Sequence, residues 1–117
     1  MTILCAAPGR DELSALKRAV VSASWELVGG ATSAGELMSQ LEELRPDVVV
    51  VDARVSGVDL GKVRRARPAA RVVVLGVIPG ADAEAAEPGR LRDAILGVRP
   101  VVGPVGGPGR SPGRSGR

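Results

Sequence analysis

The sequence predicts an α/β domain, a single three-layer, doubly wound parallel sheet. Three observations lead there. Short apolar runs alternate with segments of helical periodicity along the first hundred residues, the pattern of βαβ units. Two of those runs, residues 48–51 and, after Arg71, 72–75, are continuous in valine and leucine, as strands buried on both faces are. The chain has 117 residues, of which 44% are hydrophobic and 25% charged, a composition that fits one globular domain.

Each element follows in order. Residues 2–6 (TILCA) are apolar and predict a buried strand, broken by Pro8 and Gly9. Asp11 and Glu12 open a helix, where their charge complements the amino-terminal end of the dipole. Leu13, Leu16, Val20 and Val21 mark its apolar face, which runs to about Ser24. Residues 25–28 (WELV) alternate and predict a strand, closed by Gly29 and Gly30. Ser33 and Glu36 have capping-box spacing, and Leu37, Met38, Leu41 and Leu44 carry the helix to Pro46, which stops it. Residues 48–51 (VVVV) form the most hydrophobic strand, with Asp52 directly after it. Residues 59–66 predict a short, arginine-rich helix. Residues 71–75 predict a second two-sided strand, ended by Gly76. Residues 81–87 favour helix, Pro88 and Gly89 interrupt it, and residues 90–96 resume it. Residues 98–102 predict a weak fifth strand, at a sheet edge because Pro100 lacks a backbone donor. Chemistry in such a sheet gathers at the carboxyl ends of the strands, which places Ala6, Ala7, Pro8, Asp52 and Gly76 there.

Residues 103–117 are a different kind of sequence. They repeat Pro-Gly-Arg-Ser, and after Val105 they hold no apolar side chain. Ordering such a segment costs about 1–2 kcal/mol per residue with little to offset it. The expected organisation is therefore a domain over 1–102 and a disordered tail or linker over 103–117. Residues 1–99 hold thirteen basic and all thirteen acidic residues, so the net charge of +3 comes from Arg110, Arg114 and Arg117. A body that sums to zero gives no basic face for nucleic acid, and the tail gives only weak, salt-sensitive contacts.

Composition excludes much else. The chain has no histidine, tyrosine or phenylalanine, one cysteine and one tryptophan. There is thus no histidine base, no His/Cys metal cluster and no aromatic platform for single-stranded bases. An internal disulfide is excluded, and no apolar run reaches the ~20 residues that span a bilayer. The amino terminus lacks the pattern of a secretory signal, so a cytoplasmic location is expected. Gly76 and Gly80 belong to no phosphate-loop pattern.

Residues 41–52 (LEELRPDVVVVD) and 53–60 (ARVSGVDL), with 25–29 (WELVG) and 31–36 (ATSAGE), resemble the receiver domain of bacterial two-component response regulators. The resemblance covers about residues 2–102. It implies a receiver or flavodoxin-like fold, the phosphoacceptor role for Asp52, and Gly57 and Asp59 in the loop beside it. It also implies departures from the family. Two acidic residues that hold Mg²⁺ are replaced by Ala7 and Pro8, or Ala6 and Ala7, and Asp11 lies several residues later. Gly76 replaces a hydroxyl residue. The family's lysine has no counterpart near Val102 to Pro104, no aromatic switch residue exists, and the last helix is expected to be missing.

For Asp52, the alternative to phosphorylation is a strand-terminal aspartate that caps backbone amides in the next turn. Cys5 reads as a small buried hydrophobe and Trp25 as cover for a core edge. Lys62, Arg64, Arg65 and Arg67 form a basic cluster, either a solvated face or a patch for an acidic partner. The expected function is a degenerate receiver that acts as a non-catalytic signalling or interaction module and needs no cofactor. Its partner is an unidentified protein or a second copy, and no membrane is involved. The alternative is a regulator phosphorylated at Asp52 with Mg²⁺.

Overall fold

The computed structural model describes residues 1–98 of the chain. Its centre is β3 (Val48–Asp52), all five residues of which are buried. Four consecutive β-branched side chains favour extended backbone and need apolar cover on both faces. β1 (Thr2–Ala6) and β4 (Arg71–Leu75) flank it, with β2 (Glu26–Leu27) beyond β1 and β5 (Ala83–Ala85) beyond β4. The sheet order is β2-β1-β3-β4-β5 and every pairing is parallel. Cys5, Val50 and Val73 stand level across its middle.

The two-residue period of the strands divides the core into two layers. On one face Ile3, Cys5, Val50, Val73 and Ala85 meet Leu16, Val20 and Trp25 from α1 (Arg10–Val20) and its exit, and Leu91 and Ile95 from α4 (Leu91–Val98). On the other, Leu4, Val49, Val51, Val72 and Val74 meet Leu37 and Leu41 of α2 (Ala34–Leu44) and Leu60 and Val63 of α3 (Leu60–Ala66). Each valine, leucine or isoleucine among them contributes about 1.5–3 kcal/mol when fully buried. This is the three-layer α/β architecture predicted. Among the described residues no helix is long and apolar enough to cross a membrane.

Local signals act where the sequence places them. Ser33 Oγ accepts from the Glu36 amide at 3.2 Å. Glu36 reaches back one residue further than a capping box requires, to the amide and hydroxyl of Thr32 at 2.7 and 2.8 Å. Arg45, in the left-handed region at φ 49°, ends α2 directly before Pro46. Trp25 is 8% exposed and donates from Nε1 to the Val20 carbonyl at 2.7 Å, closing the core edge below α1. α1 stops at Val20, short of Ser24.

The carboxyl-terminal third departs from expectation. Residues 81–87 do not form a helix; Ala83–Ala85 is the edge strand β5. Alanine and glutamate prefer helix by only a few tenths of a kcal/mol each, and tertiary pairing overrides that. Ala85 is buried against α4 while Glu84 points to solvent. Asp82 fixes the entry: its carboxylate accepts from the Val72 amide at 2.7 Å and its own amide donates to the Val72 carbonyl at 2.9 Å. The expected fifth strand over 98–102 is also corrected at its start, since Val98 closes α4; residues 99–102 and the expected tail over 103–117 lie outside the described residues.

The place of the missing helix moves accordingly. The described residues hold four α-helices against five strands, and the gap falls between β4 and β5, while a single 3-10 turn (Pro88–Arg90) and α4 follow β5. A parallel crossover ordinarily needs a dozen or more residues. Here Ala83 lies level with Val73, so residues 76–82 have only a short return to make. Ile78 and Ala81 of this connection pack against the core layer that a crossover helix would otherwise cover.

Candidate functional site

With strand order 2-1-3-4-5 the connections leave β1 and β3 in opposite directions, and a crevice opens at their carboxyl ends. The structure brings Ala6, Ala7 and Pro8 from the end of β1, Thr32 and Ser33 before α2, Asp52 at the end of β3, and Arg54, Val55 and Ser56 after it to this edge. Pro8, Thr32, Ser33, Arg54, Val55 and Ser56 line a cleft of about 170 Å³.

Asp52 is 4% exposed, the one buried charged residue among those described. Its carboxylate is occupied from within the chain. Oδ1 accepts from the Arg54 amide at 2.9 Å and from Arg54 Nε at 3.1 Å; Oδ2 accepts from Nη2 at 2.7 Å. Burial pushes the carboxyl pKa up, but the side-chain and backbone hydrogen bonds of Arg54, with its charge, outweigh burial and hold it below the ordinary aspartate value. The Arg54 guanidinium, itself largely exposed, is raised by the hydrogen bonds and charge of Asp52. The amide capping is the Asx-type turn expected of a strand-terminal aspartate. The arginine side chain was not foreseen. The sequence places an arginine two residues beyond the aspartate, but residue type alone does not say that its side chain turns back to the carboxylate.

The resemblance implies Mg²⁺ beside Asp52, and the residues do not fit that ion. Mg²⁺ wants near-octahedral oxygen ligation. Ala6 and Ala7 are fully buried alkyl groups, Pro8 has no side-chain oxygen, and both oxygens of Asp52 already face a guanidinium. Asp11 stands on the exposed first turn of α1. Among the described residues no three carboxylate or thiol groups converge.

Gly76 sits at the end of β4 with φ +107°, and a Cβ there would lie 2.8 Å from Ala53 Cβ. The position is therefore built for glycine in both backbone and space. Gly57 has φ +79° and turns the chain toward Asp59, whose Oδ1 caps α3 by accepting from the amides of Gly61 at 2.8 Å and Lys62 at 3.4 Å. The loop residues therefore do structural work beside the site and do not reach Asp52's carboxylate.

The basic residues of α3 and its carboxyl-terminal cap have different surroundings. Arg64 bonds the Gly80 carbonyl and pairs with Asp82 at 3.3 Å, tying α3 to the β4–β5 connection. Arg67 Nε donates to the Pro46 carbonyl at 3.2 Å. Lys62 and Arg65 stay exposed. Lys62 lines, with Gly57, Asp59 and Met38, a cleft of about 190 Å³ between α2 and α3. Cys5 is buried in β1, and burial pushes its thiol up to about 12, so it is a core side chain and no nucleophile.

The sequence matches no protein-family model and no curated protein. Solved structures do match. The response regulator domain of Thermotoga maritima CheB is 17% identical, with a TM-score of 0.61 over 73% of this chain and 76% of that one. The signal receiver domain of the response regulator NarL from Mycobacterium tuberculosis is 20% identical, with a TM-score of 0.67 over 82% of this chain and 93% of that one. The CheY-like receiver domain protein from Methanospirillum hungatei JF-1 is 19% identical, with a TM-score of 0.67 over 82% and 90%. The chain has the receiver-like fold.

Proposed function

We propose that this domain is a non-catalytic signalling or protein-interaction module that works without phosphorylation. One observation carries the reading: Arg54 occupies both oxygens of Asp52, the sole buried carboxylate among the described residues. Attack on a phosphoryl donor needs a free carboxylate oxygen and cations that neutralise the incoming charge. An arginine bound to the nucleophile supplies positive charge but holds the carboxylate oxygens that would attack. The end of β1 adds alkyl groups where carboxylates would hold a metal, and Gly76 has no room for a hydroxyl-bearing side chain. A partner protein then reads the fold in one fixed state, in the cytoplasm and without a cofactor.

The test is intact-mass spectrometry after acetyl phosphate treatment, with an NMR titration of Mg²⁺ and beryllofluoride. The expected outcome is no added phosphoryl mass and no saturable shift at Asp52. A phosphoryl group mapped to Asp52, or beryllofluoride shifts centred there, would overturn this reading in favour of a regulator phosphorylated with Mg²⁺.

A further inference from the structure

We propose that the outer edge of β5 receives an extended, cationic segment of a partner protein as an added strand. The inference rests on the interaction reading and names the surface and the partner chemistry. β5 is the last strand of the sheet, and among the described residues nothing pairs with its outer side. An edge strand presents backbone N–H and C=O groups ready for another chain. Beside it lies an open groove of about 520 Å³, lined by Glu84, Ala85, Glu87, Arg90, Asp93 and Ala94. Ala85 faces the α4 layer and Glu84 the opposite side. The groove is bordered by both of these strand residues and by Asp93 and Ala94 of α4, and the added backbone is proposed to run through it. The alanines in its lining, Ala85, Ala86 and Ala94, are small and leave room for that backbone.

Charge selects the occupant. Glu84, Glu87 and Asp93 set three carboxylates against the single guanidinium of Arg90, and all four residues are exposed. A second copy pairing through the same edge would oppose like charges, which is destabilising. A strand carrying arginine or lysine on one face meets complementary charge instead. Since β5 is only three residues long, the ladder it offers is short, and binding depends measurably on those carboxylates and on salt.

The probe is a six-residue peptide of alternating arginine and valine, blocked at both ends, titrated into the ¹⁵N-labelled full chain. Saturable amide shifts are expected at residues 83–87 and 90–94, lost as salt rises. A glutamate–valine peptide should give none. Replacing the valines of the probe by proline, which removes alternate donors, should abolish binding if a strand is added. The triple substitution Glu84→Gln, Glu87→Gln, Asp93→Asn should weaken binding about tenfold. The proposal is overturned by an absence of shifts at millimolar peptide, by shifts centred elsewhere, by undiminished binding of the proline peptide, or by shifts at β5 that grow with protein concentration alone and so assign the edge to a second copy. None of these readouts involves Asp52, so phosphorylation there would remove the previous reading without producing any of these outcomes.

Discussion

Arg54 meets Asp52 by local geometry, two residues along one turn, and the pair sets how the site responds to acid. Because the folded carboxyl lies below its unfolded value near 3.8, it adds stability that is fully present above that pH and is lost as pH falls through the lower, folded value. Arg54→Met leaves the burial and removes the partner, so the Asp52 pKa should rise above the ordinary value. The variant should be clearly less stable than the unaltered chain at pH 7, and the gap should narrow at a pH acid enough to protonate the carboxyl in both proteins. Urea midpoints at the two pH values check this; a gap that is constant with pH would mean the pair does not govern the titration. Gly76 gives a second test at this scale. Gly76→Thr would restore a hydroxyl, but at φ +107° and against Ala53 it should cost about 1–3 kcal/mol and confer no phosphorylation, as denaturation and intact mass would show. Asp52 as a capping aspartate was legible in the sequence because the turn signal is local. Its clamp was not, because nothing in a residue's type says which way an arginine on an exposed turn will point.

Elements were legible in proportion to how strongly burial marks them. The valine run of β3 identifies itself, since no polar residue interrupts it and Pro46 and Asp52 bound it. Val50→Asp should therefore abolish cooperative folding: an unpaired charge at a fully buried position costs several kcal/mol, comparable to the whole stability of a small domain. A dispersed amide spectrum from that variant would refute the central placement. β5 was misread for the opposite reason. Its alanines and glutamates carry a weak helical preference, and the features that make it a strand are contacts with β4 and α4 that lie outside its own sequence. Asp82 is the residue that fixes it. Asp82→Ala should leave the Val72 amide without its acceptor and free Arg64, a loss of about 1–3 kcal/mol, with hydrogen exchange accelerating first in β4 and β5. Exchange that speeds up elsewhere would place the anchor of this edge in another residue.

At the scale of the molecule, alternation and two-sided strands were enough to predict the three layers, because a parallel sheet with helices on both faces is nearly the only way to bury such a pattern. The location of the absent helix was not readable, since Ile78 and Ala81 can cover a core from a loop as well as from a helix. Truncation after Gly103 should leave the thermal midpoint within a few degrees, because among the described residues the buried members of the two core layers lie within residues 3–95; loss of cooperative unfolding would show that the removed segment packs. The single tryptophan has a use of its own. With no tyrosine or phenylalanine in the chain, all intrinsic fluorescence comes from Trp25, which belongs to the layer between the sheet and helices α1 and α4. The chain thus carries a built-in optical reporter for one of its two cores and is silent for the other. Circular dichroism averages over both. Coincident transitions by the two methods would mean that the sheet welds the layers into one cooperative unit; an earlier fluorescence transition would show that one side can melt while the other stays closed.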